Sequence, residues 1–295
     1  MEETFRAGDE MLAQLVAARR EELAQLQTTQ ADRLNELEAR GQAQIAALNK
    51  TLPREIVSAL DNLDRTHEEA IQTTRSDVES VKARLVESSP SPENQTAVHP
   101  GLAGVQLLAP SAIGWFTPYW DSVNGYNRGA PNYGSVNPWI SCSGSGSGIF
   151  GTGACEGTRV VDWWFAFTPP ENRNYSYTIW VPFHGFYILR SDDGFWDSKE
   201  AHARIDLDAV GWQYGNYKAT SSTNVFDLDS QNINVNDRFD GWRTMYYADL
   251  LGVDQALLRV SARLYVYARG GGSYSELNFS DGNANYIGVP WVYID

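Results

Sequence analysis

An apolar side chain recurs every eleven residues near the start of this chain: Leu12, Leu23, Leu34, Ile45 and Ile56, with Leu15, Leu26, Leu37 and Leu48 repeating the beat three positions later. Eleven residues over three turns is ~3.67 per turn, so a seam on this beat winds nearly straight or weakly right-handed, unlike the left-handed rope of a heptad repeat. The beat continues through Val78 and Val81, and Leu63 and Leu85 widen the seam after residue 50. A lone helix with a narrow apolar stripe has nothing to bury it against, so the pattern implies self-association or a fold back onto its own second half. His67 takes a seam position, where a buried, hydrogen-bonded role is expected. Pro53 lies inside the run, removing a backbone donor and clashing with the preceding turn, so a kink or break is expected there. Because the beat keeps its phase from Ile45 to Ile56, a continuous rod is favoured over a hairpin. At ~1.5 Å per residue, a rod ending near residue 86 is about 130 Å long.

Composition divides the chain sharply. All ten Trp, all fifteen Tyr and every Phe except Phe5 lie beyond residue 100. The first hundred residues are rich in Ala, Leu, Glu, Gln and Arg, which favour helix; the remainder is rich in Gly, Asn, Ser and aromatics, which favour strands joined by tight turns. The expected organisation is a helical oligomerisation stalk over 1–87, a proline-rich neck over 88–102 (SSPSPENQTAVHPGL) and an aromatic-rich β head over 103–295.

In the head, Val161, Trp163, Phe165 and Phe167 alternate on one face of a strand, as do Tyr175, Tyr177, Ile179 and Val181 on the next, with PPENRN as the connecting turn. Leu258, Val260, Ala262, Leu264, Val266 and Ala268 alternate with Arg259, Ser261, Arg263, Tyr265, Tyr267 and Arg269, the pattern of a long half-buried strand. With a C-terminal meander and the remaining short strands, about ten in all, the expected container is an antiparallel β-sandwich of jelly-roll type. A short helix is expected around Ala248 to Ala256.

Charge excludes one class of partner. Each part carries a net charge of minus seven, and Arg259, Arg263 and Arg269 are spread along one strand face, best read as a solvated surface, so no nucleic-acid-binding patch is present. The opening MEETFRAGDE has no apolar run and is not a secretory signal, and no stretch approaches the ~20 apolar residues of a membrane span. Cys142 and Cys155, the only cysteines, bracket a Ser/Gly loop that lets them meet, and a disulfide there would stabilise by roughly 3 kcal/mol in the chain-entropy model. Such a bond points to an oxidising exterior, extracellular or on a virion or injection particle, while reduced thiols would leave the cytoplasm open.

No nucleophile, zinc-protease, phosphate-loop or dinucleotide signature is present, so no catalytic residue is assigned. His202, Arg204, Asp206 and Asp208 share one face of a strand whose other face carries Ala203, Ile205 and Leu207, most simply a solvated outer surface with internal ion pairing. The segment 191–197 gathers Asp192, Asp193, Phe195, Trp196 and Asp197 around a glycine turn, a weak calcium or sugar-hydroxyl candidate without the spacing of a calcium loop. Thirty-five aromatics in the head exceed what a small sandwich core absorbs, so some must be exposed or at an interface. The loop-like candidates are Trp115, Tyr119, Trp120, Trp139, Trp212 and Tyr214, beside the 191–197 group. Flat rings beside Asp and Asn suit a glycan: the ring packs on the sugar's C–H face while polar groups take its hydroxyls.

In plan, the helical repeat, proline neck and aromatic head resemble viral and bacterial fibre or adhesin proteins, a resemblance of arrangement that carries no diagnostic motif. The expected function is a homo-oligomeric, trimeric stalk-and-head protein whose head binds a glycan or another surface ligand and whose N-terminal tip meets an unknown anchor. No cofactor is expected beyond the weak calcium candidate. The alternatives are a structural subunit of a particle or filament with aromatic assembly contacts, and a polysaccharide-acting enzyme of sandwich fold using a pair of the listed acids.

Overall fold

The structure, a computed structural model, describes residues 2–89 and, in the head, 114–116, 120–123, 126–127, 135–145, 153–167, 171–191, 199–213, 216–250, 255–289 and 291–294. Two helices come first, α1 (Glu2–Thr51) and α2 (Arg54–Glu87). The strands are β1 (Gly114–Phe116), β2 (Trp120–Val123), β3 (Tyr126–Asn127), β4 (Ser135–Val136), β5 (Trp139–Ser143), β6 (Ala154–Phe167), β7 (Tyr175–Ser191), β8 (Glu200–Gln213), β9 (Asn216–Ser230), β10 (Ile233–Leu250), β11 (Ala256–Arg269), β12 (Tyr274–Asn278), β13 (Tyr286–Gly288) and β14 (Trp291–Ile294). The greater part of the expected neck lies outside the described residues.

The strands form two antiparallel sheets. One runs β3-β2-β6-β11-β8-β9. The other is organised by β7, which pairs with β10 along one edge and with β14, β13 and β12 in succession along the other. Their inner faces interdigitate as alternation requires: Val161, Trp163 and Phe165 from β6, Val260, Ala262, Leu264 and Val266 from β11, Ala203, Ile205 and Leu207 from β8, and Tyr177, Ile179 and Val181 from β7 form one core. The expected sandwich is present, and the antiparallel pairing is as far as strand order carries the expected jelly roll. The strands run longer than the short ones expected, β7 over 17 residues and β9 over 15. The helix expected from Ala248 is absent up to Leu250, because Ala248 and Leu250 continue the β10 ladder opposite Ser176 and Tyr175. Cys142 on β5 and Cys155 on β6 form the expected disulfide, which therefore links the two sheets.

The helices cover the outer faces of this sandwich, giving four layers. α1 ends at Thr51, α2 begins at Arg54, and the expected interruption at Pro53 is a complete break. The two arms do not form one straight rod, and they lie against different sheets. Leu12 and Val16 of α1 pack with Trp164 and Leu257, Arg19 reaches Asp162, Gln30 reaches Thr158 and Arg33 reaches Glu156. Helix numbers rise as strand numbers fall, so α1 lies antiparallel to β6. The fit is metric as well: residues 19 to 33 advance ~21 Å along the helix while 162 to 156 cover ~20 Å of strand. On the other side, Val78 and Val81 of α2 pack on Phe186 and Ile188 of β7, with Leu85 and Tyr274 alongside. Lys82 sits 3.0 Å from both Glu276 and Asp281, and Arg238 donates to the Leu85 carbonyl at 3.2 Å, satisfying a terminal carbonyl of α2.

The seam expected to face partner helices thus meets the sheets at Leu12, Leu23, Val78 and Val81, all buried, while Ile56 at the hairpin tip is 45% exposed. The remaining seam residues of α1 and α2, Leu15, Leu26, Leu34, Leu37, Ile45, Leu48 and Leu85, are half-buried, and the Leu63 side chain lies outside the described residues.

Candidate functional site

α1 does not lie flush along its whole length. Beyond Arg33 the helix and the strands part to leave a cavity of ≈ 460 Å³. Its floor is Tyr265 and Tyr267 of β11 with His202 and Glu200 of β8; its roof is Arg33, Glu36, Leu37 and Arg40 of α1. Period-two alternation puts the floor side chains on the outer face, since Ala201, Ala203, Val266 and Ala268 between them point into the core.

Several polar groups at this site are held by partners. His202 Nε2 lies 2.8 Å from Asp227 Oδ1 on β9, and its ring stands edge-on to Tyr265 with centroids 5.1 Å apart. Arg33 pairs with Glu156, which Gln30 also contacts at 3.4 Å, and Arg40 bridges to Glu36 at 3.2 Å. Burial, with Glu156 adding to it and Arg33 opposing, pushes the Tyr265 phenol up to about 12. Tyr267 is raised by burial and then by Glu200. Glu200 itself is raised by burial and by Asp229, with Arg269 opposing. Both phenols therefore keep their protons at neutral pH and present hydroxyl donors, beside carboxylate acceptors and guanidinium donors. Two aromatic faces with such groups around them match a polyhydroxylated ligand. The carboxylates at or beside the cavity (Glu36, Glu200, Glu156, Asp227) outnumber the guanidiniums, so its electrostatics favour a neutral ligand over a polyanion.

The aromatics singled out in the sequence are not assembled here. Trp212 lies on β8 instead of in a loop, half-buried under α1, stacked on Trp164 at 5.6 Å with the Arg259 guanidinium 5.7 Å from its ring. Trp115 and Trp120 also lie on strands, β1 opposite Tyr293 and β2 opposite Trp164, hence on different sheets. Trp139 of β5 is 44% exposed, with the Lys82 ammonium 5.5 Å from its ring centroid. Tyr119, Asp192, Asp193, Phe195, Trp196, Asp197 and Tyr214 lie outside the described residues. The strand face read as solvated is largely covered: Arg259 pairs with Asp208 at 3.1 Å beneath α1, Ser261 is fully buried, and Arg263 stays exposed. The missed signal was the Tyr265–Tyr267 pair on that face, since residues two apart on a strand present both rings to the same side. Among the described residues no group of three or more His, Cys, Asp or Glu is placed to hold a metal ion, and no helix is long and apolar enough to cross a membrane.

No protein-family model matches the chain, and no curated protein does. Among solved structures, the carbohydrate-binding module TmCBM61 in complex with β-1,4-galactotriose is 10% identical over 54% of this chain and 88% of its own, at a TM-score of 0.21. A carbohydrate-binding module from Cellvibrio mixtus lichenase 5A in complex with cellotriose is 12% identical over 62% of this chain and 97% of its own, at a TM-score of 0.22. The enzymatically active domain of bacteriophage CBA120 tailspike protein 4 is 9% identical over 54% of this chain and 20% of its own, at a TM-score of 0.16. The structural neighbours thus include carbohydrate-binding modules. Likeness at this level carries no argument about ligand, which rests on the cavity.

Proposed function

We propose that this protein is a surface-display module whose β-sandwich head binds a neutral glycan in the cavity roofed by α1. The observation that carries this reading is the pair Tyr265 and Tyr267 on the cavity floor, faced by carboxylate and guanidinium groups from α1 and β8. The ring faces take the C–H face of a pyranose while Glu200, Glu36 and Arg40 take its hydroxyls. The full chain on an array of neutral and acidic glycans should retain neutral ones, and Tyr267→Ala should lower affinity about tenfold, the ~1.4 kcal/mol scale of one aromatic contact. Retention of acidic glycans alone, or of none, overturns the reading. Newly formed reducing ends in the same incubation would point to a polysaccharide-acting enzyme instead.

The second component is self-assembly outside the cell or on a particle surface. The seam continues through Ile45, Leu48 and Ile56 at the hairpin tip, beyond the part the sheets cover, and copies that join there, three in the simplest arrangement, would multiply weak single-site affinities. A subunit role in a particle is favoured instead by Trp139 and Trp242, which are 44% and 42% exposed and suited to assembly contacts. Charging the tip with Ile56→Glu should lower the solution mass to one chain if the hairpin assembles copies.

A further inference from the structure

The second helix makes a cleft of its own. Where α2 crosses the end of β12, a cavity of ≈ 220 Å³ lies between Arg75 and Glu79 on the helix, Ser143 and Tyr274 on the strands and Ser273 in the turn before β12. Its polar lining is a guanidinium and a carboxylate from the helix and the exposed Ser143 hydroxyl, beside the edge of the Tyr274 ring; the Tyr274 hydroxyl donates to Glu276 at 2.6 Å and the buried Ser273 hydroxyl to the Arg269 carbonyl. Glu79 and Arg75 each stand exposed, with side chains free of the helix–sheet core.

The two clefts are neighbours round one corner of the sandwich. β11 leads into β12 through the turn 270–273, so Tyr267 faces α1 on one side of the molecule and Tyr274 faces α2 on the other, at the same end. That end is fixed tightly. Gly144 N donates to the Ser273 carbonyl at 2.9 Å, Gly270 N donates to the Gly153 carbonyl at 3.1 Å, and the Cys142–Cys155 disulfide ties the sheets just behind. Gly272, at φ +85, adopts a backbone conformation that favours glycine, and a Cβ there would lie in contact with Ile71 of α2 at 3.6 Å. Beyond this end the helices converge, since only Leu52 and Pro53 separate α1 from α2, while at the sandwich the two sheets and both helix layers keep them apart. The hairpin therefore arches over the end of the sandwich on which both clefts open.

We propose that the two clefts are subsites of one track, in which an extended neutral oligosaccharide passes round the 270–273 turn beneath the helical arch. The inference rests on the glycan reading and adds its substrate class: an internal segment of a polymer, not a terminal sugar. Two subsites joined by one ligand act at a high effective concentration for each other, so affinity must rise with chain length once a ligand reaches both. The test is titration calorimetry of the full chain with β-1,4-linked gluco- and galacto-oligosaccharides, from disaccharide upward. The expected result is one ligand per head, with affinity stepping up tenfold or more past a threshold length. The double variant R75A/E79A, at exposed positions that leave the helical circular dichroism unchanged, should bind the longest probe no more tightly than the shortest. Binding that is flat with length, two short ligands per head without gain on joining them, or an R75A/E79A variant that keeps the step overturns the track while leaving the glycan reading standing. A folded protein that binds no probe at any length overturns both.

Discussion

Asp162 is the most consequential single residue. It sits at 0% exposure on the outer face of β6, where Arg19 Nε reaches Oδ2 at 3.2 Å and the Ser261 hydroxyl donates to Oδ1 at 2.5 Å. A carboxylate fully removed from water needs such partners, and removing one of them leaves an uncompensated charge, a loss of about 3–5 kcal/mol. Arg19→Ala should therefore lower the thermal midpoint by roughly 10 °C for a protein of this size, whereas the double change Arg19→Met with Asp162→Leu should recover most of it. A single-variant loss under about 1 kcal/mol would show α1 to be weakly seated. Asp281 on the opposite face reports on α2. Burial alone would raise its carboxyl, but hydrogen bonds from Lys82 and Asn278 outweigh that and hold it below its usual value. A carboxyl depressed in the folded state contributes stability above its unfolded pKa of ~3.9, and that contribution is lost as pH falls through the folded one. Denaturation followed from pH 6 to pH 2 should show this loss in the wild type and a smaller one in Lys82→Met.

At the scale of elements, α1 acts as a lid on hydrophobic surface. Trp164 and Leu257 are each 1% exposed beneath it, and a side chain of that kind is worth about 1.5–3 kcal/mol when fully buried. A chain lacking residues 1–51 should bind a hydrophobic dye and self-associate; a monomeric, dye-silent truncation would mean that the sandwich completes itself without the helix. The disulfide works between elements: replacing both Cys142 and Cys155 by Ser should cost about 3 kcal/mol, read as a shift in the urea midpoint. These elements were not equally legible. The inward faces of β6, β7 and β11 follow strict alternation, and the core residues expected from the sequence are buried, apart from Phe167, whose side chain lies outside the described residues. The destination of the helices was hidden, because an apolar seam records that something covers it and not what. Three polar positions carried the clue. Asp162 interrupts the run Val160–Phe165, and Arg19 and Gln30 fall on the eighth positions of the repeat, the same two residues that bond to Asp162 and Thr158. The seam is narrow there because the surface it meets is polar. The cavity stayed unread for a related reason: its walls come from residues 33–40 and 200–267, and only the helix placement brings them together.

At the scale of the molecule, the four layers make the head and the helices one cooperative body, and a single unfolding transition is expected by calorimetry for the described elements. Separate transitions for helix and sandwich would contradict the buried contacts on both faces. The antiparallel run of α1 along β6 has a further, mechanical meaning. Arg19, Gln30 and Arg33 grip the strand at points spread over ~20 Å, and tension along the helix axis loads them together. Sliding the helix free demands that all of these grips fail at once, whereas peeling it outward releases them one after another. A chain tugged along this axis would hold like a glued lap joint, and one lifted from the side would open like a zip.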